Sequence, residues 1–318
     1  MKNILVIGAT GQIGSELTLS LRERYGAAKV VAGGHRRTPS LELADAGPYE
    51  IANCLDIQAL ADIIKKYRID TIYHLAALLS ATGEKNPKLA WEVNVQGLIN
   101  VLDLAKEYQC AVFFPSSIGV FGAGTPKDKT PQDTIQRPST MYGITKLTGE
   151  LLCDYYYQRY GLDVRGVRYP GLISNVTPPG GGTTDYAVEI FYEALTHQKY
   201  SCFLSEDTYL DMMYMPDALK AAIELMEADS SRLIHRNGYN VSAMSFSPKE
   251  LTKEIQKWIP ELQISYEIDP IKQAIADSWP NSMDDSAART EWGWQPDYNL
   301  SEMVKDMIEK LKIKLDIK

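Results

Sequence analysis

The sequence predicts an α/β fold in which a doubly wound parallel sheet carries helices on both faces and a smaller α/β domain is attached. Short apolar runs alternate with segments of helical periodicity over residues 1–170. This alternation is typical of parallel strands joined by right-handed crossovers. The first run, residues 3–7, is almost wholly apolar, as expected for a strand buried on both faces. After residue 171 the alternation ends, which indicates a second domain.

The two domains are predicted to interleave along the chain. The sheet domain comprises residues 1–170 plus 214–244, and the substrate-binding domain comprises 171–213 plus 245–318. Ser247 and Glu250 form a capping box with Pro248 at the first helical position, which predicts the start of a helix. Residues 197–213 are expected to contain a hairpin-like stretch. The principal predicted strands are 3–7, 29–32, 70–77, 111–115, 164–169 and 263–267, and the principal predicted helices are 57–66, 86–108, 139–160, 248–258 and 301–315.

Composition and charge exclude several classes of protein. The 318-residue chain has a net charge of −8 and a pI near 5.2, whereas a nucleic-acid-binding protein presents a basic surface. No run of 18 apolar residues exists, so no membrane span is predicted. The four cysteines are scattered without metal-ligand spacing, which favours reduced thiols and no metal site. We therefore expect a cytoplasmic protein that binds neither nucleic acid nor membrane.

A glycine-rich turn follows the first strand and predicts a dinucleotide site. Gly8 permits the tight turn, Gly11 lets the backbone approach a pyrophosphate, and Gly14 lets the following helix pack against the sheet. The N-terminus of that helix offers N–H groups to the phosphates. The cofactor residues expected in this turn are Gly8, Thr10, Gly11, Gln12, Ile13 and Gly14.

The end of the second strand bears on the choice between NAD and NADP. NAD sites usually place an acidic residue there, roughly 20 residues beyond the glycine turn, to accept a hydrogen bond from the ribose 2′-hydroxyl. This chain instead has Gly34 followed by His35, Arg36 and Arg37. The two guanidiniums are suited to a 2′-phosphate, although a solvated basic turn is the alternative. We predict that the site tolerates or prefers NADP.

Ser117, Tyr142 and Lys146 form a candidate catalytic set. If Ser139 caps a helix, Tyr142 and Lys146 lie one turn apart on one face. An ammonium beside a phenol favours the phenolate, so the pKa of Tyr142 is expected to fall. Such a phenol can act as the general base for an alcohol, with Ser117 holding the substrate oxygen. The alternative is an ordinary half-buried helix face, because this spacing is common.

These motifs resemble those of the extended short-chain dehydrogenase/reductase superfamily, which has a Rossmann fold. The shared features are G-x-x-G-x-x-G, a serine 25 residues before the tyrosine (142 − 117), and Y-x-x-x-K. Within the superfamily, the chain is most similar to the short-chain L-threonine 3-dehydrogenases over nearly its whole length. Segments that carry this similarity include A-L-L-S-A at 77–81, P-S-S-I-G-V-F-G at 115–122, G-G-G-T-T-D-Y-A at 180–187 and S-W-P at 278–280.

The resemblance implies an activity and a set of site residues. The activity is metal-independent oxidation of the threonine Cβ hydroxyl to 2-amino-3-ketobutyrate, with hydride transfer to NAD(P). The family's cofactor is NAD, held partly by an aspartate that falls at position 34, and Gly34 departs from that pattern. The substrate-binding residues implied are Ser80, Ser117, Tyr142, Thr183, Thr184 and Trp279. Further expected cofactor contacts are Gly34, His35, Asp56, Leu75, Ala76, Ala77, Asn94, Tyr142, Lys146, Tyr169, Gly171 and Leu172.

Two other features of the sequence have a structural and a functional interpretation. The glycine run 180–182 lies at the join between the predicted domains, which favours a closing lid over a flexible connector. His74 lies within an apolar run, which favours a core histidine over a catalyst.

Other functions and partners stay open from the sequence alone. A nucleotide-sugar 4-epimerase or dehydratase uses the same Ser/Tyr/Lys set, but the second domain shows no basic cluster for a nucleoside diphosphate. A non-catalytic dinucleotide sensor would have no need of the Tyr/Lys pair. The expected small-molecule partner is L-threonine, and the product could pass to a 2-amino-3-ketobutyrate CoA ligase. The helices at 86–108 and 139–160 could pair in a homodimer.

Overall fold

The computed structural model describes residues 1–180 and 182–317, with only the backbone of Ala81. The strands are β1 Ile4–Ile7, β2 Val30–Gly34, β3 Tyr49–Ile51, β4 Thr71–His74, β5 Ala111–Phe113, β6 Ser116–Ser117, β7 Val164–Arg165, β8 Val167–Tyr169, β9 Gly171–Ile173, β10 Lys199–Cys202, β11 Leu210–Tyr214, β12 Tyr239–Asn240, β13 Met244–Phe246 and β14 Gln263–Tyr266. The helices are α1 Gln12–Tyr25, α2 Leu41–Asp45, α3 Ile57–Tyr67, α4 Ser80–Lys85, α5 Pro87–Trp91, α6 Gly97–Tyr108, α7 Met141–Tyr160, α8 Tyr186–Thr196, α9 Met215–Glu227, α10 Pro248–Gln256, α11 Pro270–Ala276, α12 Ser286–Trp292 and α13 Leu300–Lys314.

A six-stranded parallel sheet forms the centre of the fold. Its strand order is β3-β2-β1-β4-β5-β7, and β1 pairs in parallel with both β2 and β4. Every residue of β1 is buried because helices cover both faces of the sheet, as the apolar run predicts. The predicted doubly wound α/β fold is therefore confirmed, and the carboxyl ends of β1, β2 and β4 meet at one edge.

The predicted sixth strand, 164–169, is wrong as a single element. The chain divides at Gly166, where a Cβ atom would lie 2.2 Å from the carbonyl oxygen of Phe114. The first piece, β7, completes the large sheet beside β5. The second piece, β8, leaves that sheet and lies between β6 and β12. Because β6 carries Ser117, this division gives the serine a separate parallel neighbour, Tyr169.

The hairpin predicted within 197–213 is also wrong. The two strands of this stretch, β10 and β11, pair with different partners. β10 pairs in parallel with β14, whereas β11 lies between β9 and β13. Local sequence suggested a hairpin, but burial of both strands against α8 and its neighbouring helices determined the pairing.

Two helices near the site differ in detail from their predictions. The predicted helix 86–108 contains a π-helical turn, Glu92–Gln96, between α5 and α6. A π turn inserts one residue into a helix and is frequent at functional sites. The helix predicted from 139 begins later, because Thr140 and not Ser139 caps α7 by accepting from Gly143 N at 3.1 Å.

Three apolar clusters stabilise the described part of the chain. Two of them occupy the faces of the large sheet, and the third packs α8, α10 and α13 against β11 and β13. All four cysteines are buried free thiols. Among the residues described, no helix combines the length and the apolar character needed to cross a bilayer.

The variant Arg165→Met tests whether the buried Arg165 guanidinium stabilises the carboxyl end of α9. The guanidinium donates to the carbonyl oxygens of Leu225 and Ala228, both at 2.8 Å. We expect Arg165→Met to lower the free energy of unfolding by about 2–4 kcal/mol, because it leaves buried carbonyls without donors. The measurement is urea unfolding. Arg24→Met is the control, since Arg24 forms an exposed pair with Glu227 at the same helix end and should cost less than about 1 kcal/mol. Equal losses in the two variants would contradict this account.

Candidate active site

The glycine turn after β1 is pinned to the end of β2. The N–H groups of Gly8 and Ala9 donate to the carbonyl oxygen of Gly33 at 2.9 and 3.0 Å. Gly8 has φ +91°, and a Cβ atom at Gly14 would lie 2.1 Å from the Gly8 carbonyl oxygen. Both positions therefore require glycine. The turn holds the N-terminus of α1 at the carboxyl edge of the sheet.

The N-terminus of α1 has the properties of a phosphate site. Gly11 is its N-cap, no side chain caps the helix, and no acidic residue lies in its first turn. The first N–H groups and the positive end of the helix dipole are therefore left for an anion. These residues fit the pyrophosphate of a dinucleotide.

The loop after β4 lies against the same turn. A Cβ atom at Gly8 would lie 2.7 Å from Ala76 N and 2.9 Å from the carbonyl carbon of Leu75. Asn94, in the π turn, accepts from Leu78 N at 2.7 Å and donates to the Thr145 hydroxyl at 3.0 Å. The buried Asn94 amide therefore has protein hydrogen-bond partners. Its side chain connects the loop to α7.

Tyr142 and Lys146 lie one turn apart on α7. The Lys146 ammonium donates to the Pro115 carbonyl oxygen at 2.6 Å and lies 5.8 Å from the centroid of the Tyr142 ring. A Cβ atom placed on Gly119 would lie 3.5 Å from Ser117 Oγ and 3.4 Å from the Tyr142 ring. The structure thus brings all three predicted residues together.

Burial determines the protonation of this set. It raises the pKa of Tyr142 to about 12, and the nearby Ser117 hydroxyl opposes the rise only in part. It lowers the pKa of Lys146 to about 8. The expected fall in the pKa of Tyr142 is therefore wrong, because burial raises this pKa. The physical reason is that the Lys146 ammonium is directed at the Pro115 carbonyl, while the phenol loses hydration.

Close backbone packing places Ser117 beside Tyr142. Ser117 accepts from Gly119 N at 3.1 Å and caps the short helical turn Ile118–Val120. A Cβ atom at Gly143 would lie 2.1 Å from the carbonyl oxygen of Gly119. The helix that carries Tyr142 therefore rests directly on the backbone that follows Ser117.

A buried ion pair anchors α7 one turn beyond Lys146. Glu150 forms a bidentate pair with Arg168 of β8, with N–O distances of 3.0 and 2.9 Å. Ser116 donates to the same carboxylate, and Gln136 donates at 3.1 Å. Ser116 pairs with Arg168 across β6 and β8. The sequence analysis missed this network, although Glu150 follows Lys146 by one helical turn.

His74 is a buried histidine at the end of β4. Burial, together with the charge of Lys146, lowers its pKa to about 3, so the imidazole is neutral. Its Nδ1 has no hydrogen-bond partner within the described chain. His74 is therefore a core histidine, as the sequence indicates.

Several predicted site residues occupy structural positions. Asp56 caps α3 by accepting from Ala59 N at 3.0 Å, and the buried Tyr169 hydroxyl donates to the Ala218 carbonyl at 2.6 Å. Trp279 is 9% exposed and lies in the apolar cluster that packs α8, α10 and α13 against β11 and β13. Within residues 1–180 and 182–317, no hydrogen bond joins Ser80, Thr183, Thr184 or Trp279 to Ser117 or Tyr142, and their substrate contacts stay predictions.

The residues at and after the end of β2 are those that the sequence predicts to contact the cofactor. His35, Arg36 and Arg37 are exposed. Gly34 is buried, and a Cβ atom there would lie 2.1 Å from the hydroxyl oxygen of Tyr49. Tyr49 was not singled out from the sequence, because only the pairing of β2 with β3 brings it to Gly34.

The fold and this site define a class of protein that binds a dinucleotide at the carboxyl edge of a parallel sheet. The model of the NAD dependent epimerase/dehydratase family matches residues 4–241. The chain belongs to this family, which confirms the predicted superfamily and its dependence on NAD.

Several individual relatives are similar to this chain over nearly its whole length. An L-threonine dehydrogenase structure from Clostridium difficile is 55% identical, with 99% of this chain and 98% of that chain covered and a TM-score of 0.97. One from Phytophthora infestans is 51% identical, with 98% and 99% covered and a TM-score of 0.94. An uncharacterized epimerase/dehydratase of Staphylococcus haemolyticus is 52% identical over 99% of each chain.

Gly143→Ala tests the packing that joins Ser117 to Tyr142. The new methyl group would lie 2.1 Å from a backbone oxygen, so α7 must shift. We expect the rate of substrate-dependent nicotinamide reduction to fall about 100-fold, because catalysis is sensitive to small displacements, whereas dinucleotide affinity should change little. The measurements are steady-state rates and binding titrations on folded protein. Gly124→Ala is the matched control, since no atom lies within 4 Å of its Cβ position. A fully active Gly143→Ala protein would refute the account.

Proposed function

We infer that the protein is an L-threonine 3-dehydrogenase. The observation that carries this inference is the assembly of Ser117, Tyr142 and Lys146, in a chain 55% identical over its length to an L-threonine dehydrogenase. Asn94 connects the helix of this set to the loop that lies against the glycine turn. The reaction converts the Cβ hydroxyl of L-threonine to the ketone of 2-amino-3-ketobutyrate. The Cβ hydrogen leaves as hydride and the hydroxyl hydrogen leaves as a proton, so the substrate loses two electrons.

The dinucleotide, when bound, supplies the hydride acceptor and, in its oxidised form, a positive charge. Tyr142 accepts the hydroxyl proton, and Ser117 donates a hydrogen bond to the same substrate oxygen. Burial raises the pKa of the Tyr142 phenol to about 12, and the positive charge of a bound oxidised dinucleotide would favour its ionisation. Lys146, whose ammonium is held by the Pro115 carbonyl, is proposed as a contact of the dinucleotide.

The remaining substrate contacts are proposed from the family resemblance. Ser80, Thr183, Thr184 and Trp279 would bind the amine and carboxylate of threonine. The glycine run 180–182 would close over the substrate, although Gly181 lies outside the described residues. Its flanking N–H groups, from Gly180 and Gly182, donate to the Asp185 carboxylate at 2.6 and 2.8 Å, which favours a defined conformation over a loose connector.

Several broader properties belong to the same proposal. Arg36 and Arg37 support NADP as a cofactor alongside NAD.

The proposal assigns residues 171–213 and 245–318 to the substrate-binding domain. A homodimer through α5, α6 and α7 is supported by exposed apolar residues on α7 (Ile144, Leu151 and Tyr155). We also propose a cytoplasmic location and transfer of the product to a 2-amino-3-ketobutyrate CoA ligase.

Tyr142→Phe tests the proposed base. The change removes only the hydroxyl group, so we expect threonine oxidation to fall by about three orders of magnitude or more, while dinucleotide affinity stays within about twofold. The measurements are initial rates with L-threonine and isothermal titration with NAD. Tyr157→Phe, an exposed position on the same helix, is the control and should keep full activity. Undiminished oxidation by Tyr142→Phe would remove the proposed base. Turnover of UDP-galactose but not of threonine by the unmodified protein would favour the epimerase.

Arg36→Ala and Arg37→Ala test the basic turn. We expect each variant to weaken NADP binding about tenfold or more and NAD binding less than about twofold, because a guanidinium pairs with the 2′-phosphate that NAD lacks. The dissociation constants of both nucleotides provide the measurement. Arg68→Ala, at the far end of α3, is the control. Unchanged affinities in both variants would show that the arginines are only solvated charges.

A further inference from the structure

The space beside Gly34 is filled by the hydroxyl group of Tyr49. A Cβ atom at Gly34 would lie 2.1 Å from the Tyr49 hydroxyl oxygen, 2.9 Å from its Cζ and 3.0 Å from the Thr10 methyl carbon. A side chain at position 34 and the Tyr49 hydroxyl therefore cannot occupy this volume together. In the related dehydrogenases, as the resemblance implies, an aspartate falls at this position.

The pairing of β2 with β3 explains how Tyr49 reaches this point. Tyr49 lies opposite Ala32 in the parallel register, and Gly34 is two residues further along the same face of β2. Side chains in strands lean along the strand, and Ala32 and Gly34 are small enough for a ring to lie across them. The ring packs in the same apolar cluster as Ala32 and Leu17 of α1. Its hydroxyl end consequently emerges beside the glycine turn.

The Tyr49 hydroxyl is available to a ligand. Within the part of the chain that is described, it makes no hydrogen bond to a protein group, and the side chain is half-buried. The adjoining carbonyl of Gly33 is already bound by the N–H groups of Gly8 and Ala9. A dinucleotide whose pyrophosphate lies on the N-terminus of α1 places its adenosine ribose at the end of β2. The phenol is therefore a polar group placed beside that ribose, in addition to the side chains of His35, Arg36 and Arg37 that follow β2.

We propose that Tyr49 recognises the 2′ position of the adenosine ribose in place of a carboxylate, and that it makes the site accept both NAD and NADP. This inference rests on the proposed dehydrogenase function. A carboxylate only accepts hydrogen bonds, so it binds the 2′-hydroxyl of NAD and repels a 2′-phosphate. A phenol both donates and accepts. Tyr49 therefore accepts from the 2′-hydroxyl of NAD or donates to the 2′-phosphate of NADP, and the adjacent arginines add affinity for the phosphate alone.

Tyr49→Phe separates this role from that of the arginines. The variant keeps the ring and removes one hydrogen bond, so we expect the dissociation constants of NAD and NADP both to rise about fivefold to tenfold. Isothermal titration without threonine gives both constants, and thermal unfolding verifies that the variant is folded. Tyr67→Phe is the matched control, because the Tyr67 hydroxyl donates to Glu50 and both affinities should be unchanged. Unchanged affinities in Tyr49→Phe would overturn the proposal.

A double variant tests the shared volume directly. Gly34→Asp alone places its Cβ atom against Tyr49 and should weaken both nucleotides about tenfold or more. Gly34→Asp combined with Tyr49→Ala frees the space, so NAD affinity should return to within about threefold of the unmodified protein. NADP affinity should fall about 100-fold, because two adjacent negative charges repel. Equal NAD affinities of the single and double variants would refute the shared volume.

The outcomes also distinguish this inference from the proposed function. Unmodified protein that shows these nucleotide effects but does not oxidise threonine would leave the role of Tyr49 standing and overturn the dehydrogenase assignment. If the unmodified protein oxidises threonine but its Tyr49→Phe variant binds both nucleotides as before, the dehydrogenase assignment stands and the proposed role of Tyr49 is overturned.

Discussion

The site depends on direct packing of α7 against the backbone that follows Ser117. Glycine at 143 allows the helix to rest on the Gly119 carbonyl, and Thr140 fixes where the helix begins. One turn beyond Lys146, the buried Glu150 carboxylate is bound by Arg168 and Ser116. Removing one partner of a buried pair leaves an uncompensated charge that costs about 3–5 kcal/mol. The serine strand and the tyrosine helix are therefore held in one arrangement, which a catalytic set needs for fixed geometry.

The same close packing determines the electrostatics of the free site. Excluding water raises the pKa of Tyr142 and lowers that of Lys146, so burial disfavours the charged form of both groups. The phenol is thus a poor base until a positive charge arrives beside it. A bound oxidised nicotinamide would supply such a charge.

The sequence predicted what depends on local pattern and failed where distant pairing decides. The glycine turn, the Tyr142–Lys146 spacing and the capping box at Ser247 are local, and the structure has all three. The division of the sixth strand at Gly166 depends on the Phe114 carbonyl, and the partner of β10 is a strand more than 60 residues away. The pKa of Tyr142 could not be read from spacing either, because the direction of the Lys146 ammonium depends on the Pro115 carbonyl. Tyr49 gave no local signal, because only the pairing of β2 with β3 brings it to Gly34.

Asn94 shows how the two halves of the site are connected. Its side chain binds the loop after β4, which lies against Gly8, and also binds Thr145, which lies between Tyr142 and Lys146. The π turn at Glu92–Gln96 contains this residue, and the inserted residue of such a turn changes the direction in which its side chains point. Asn94 itself transfers neither hydride nor proton, but its hydrogen bonds connect the loop against the glycine turn to the catalytic helix.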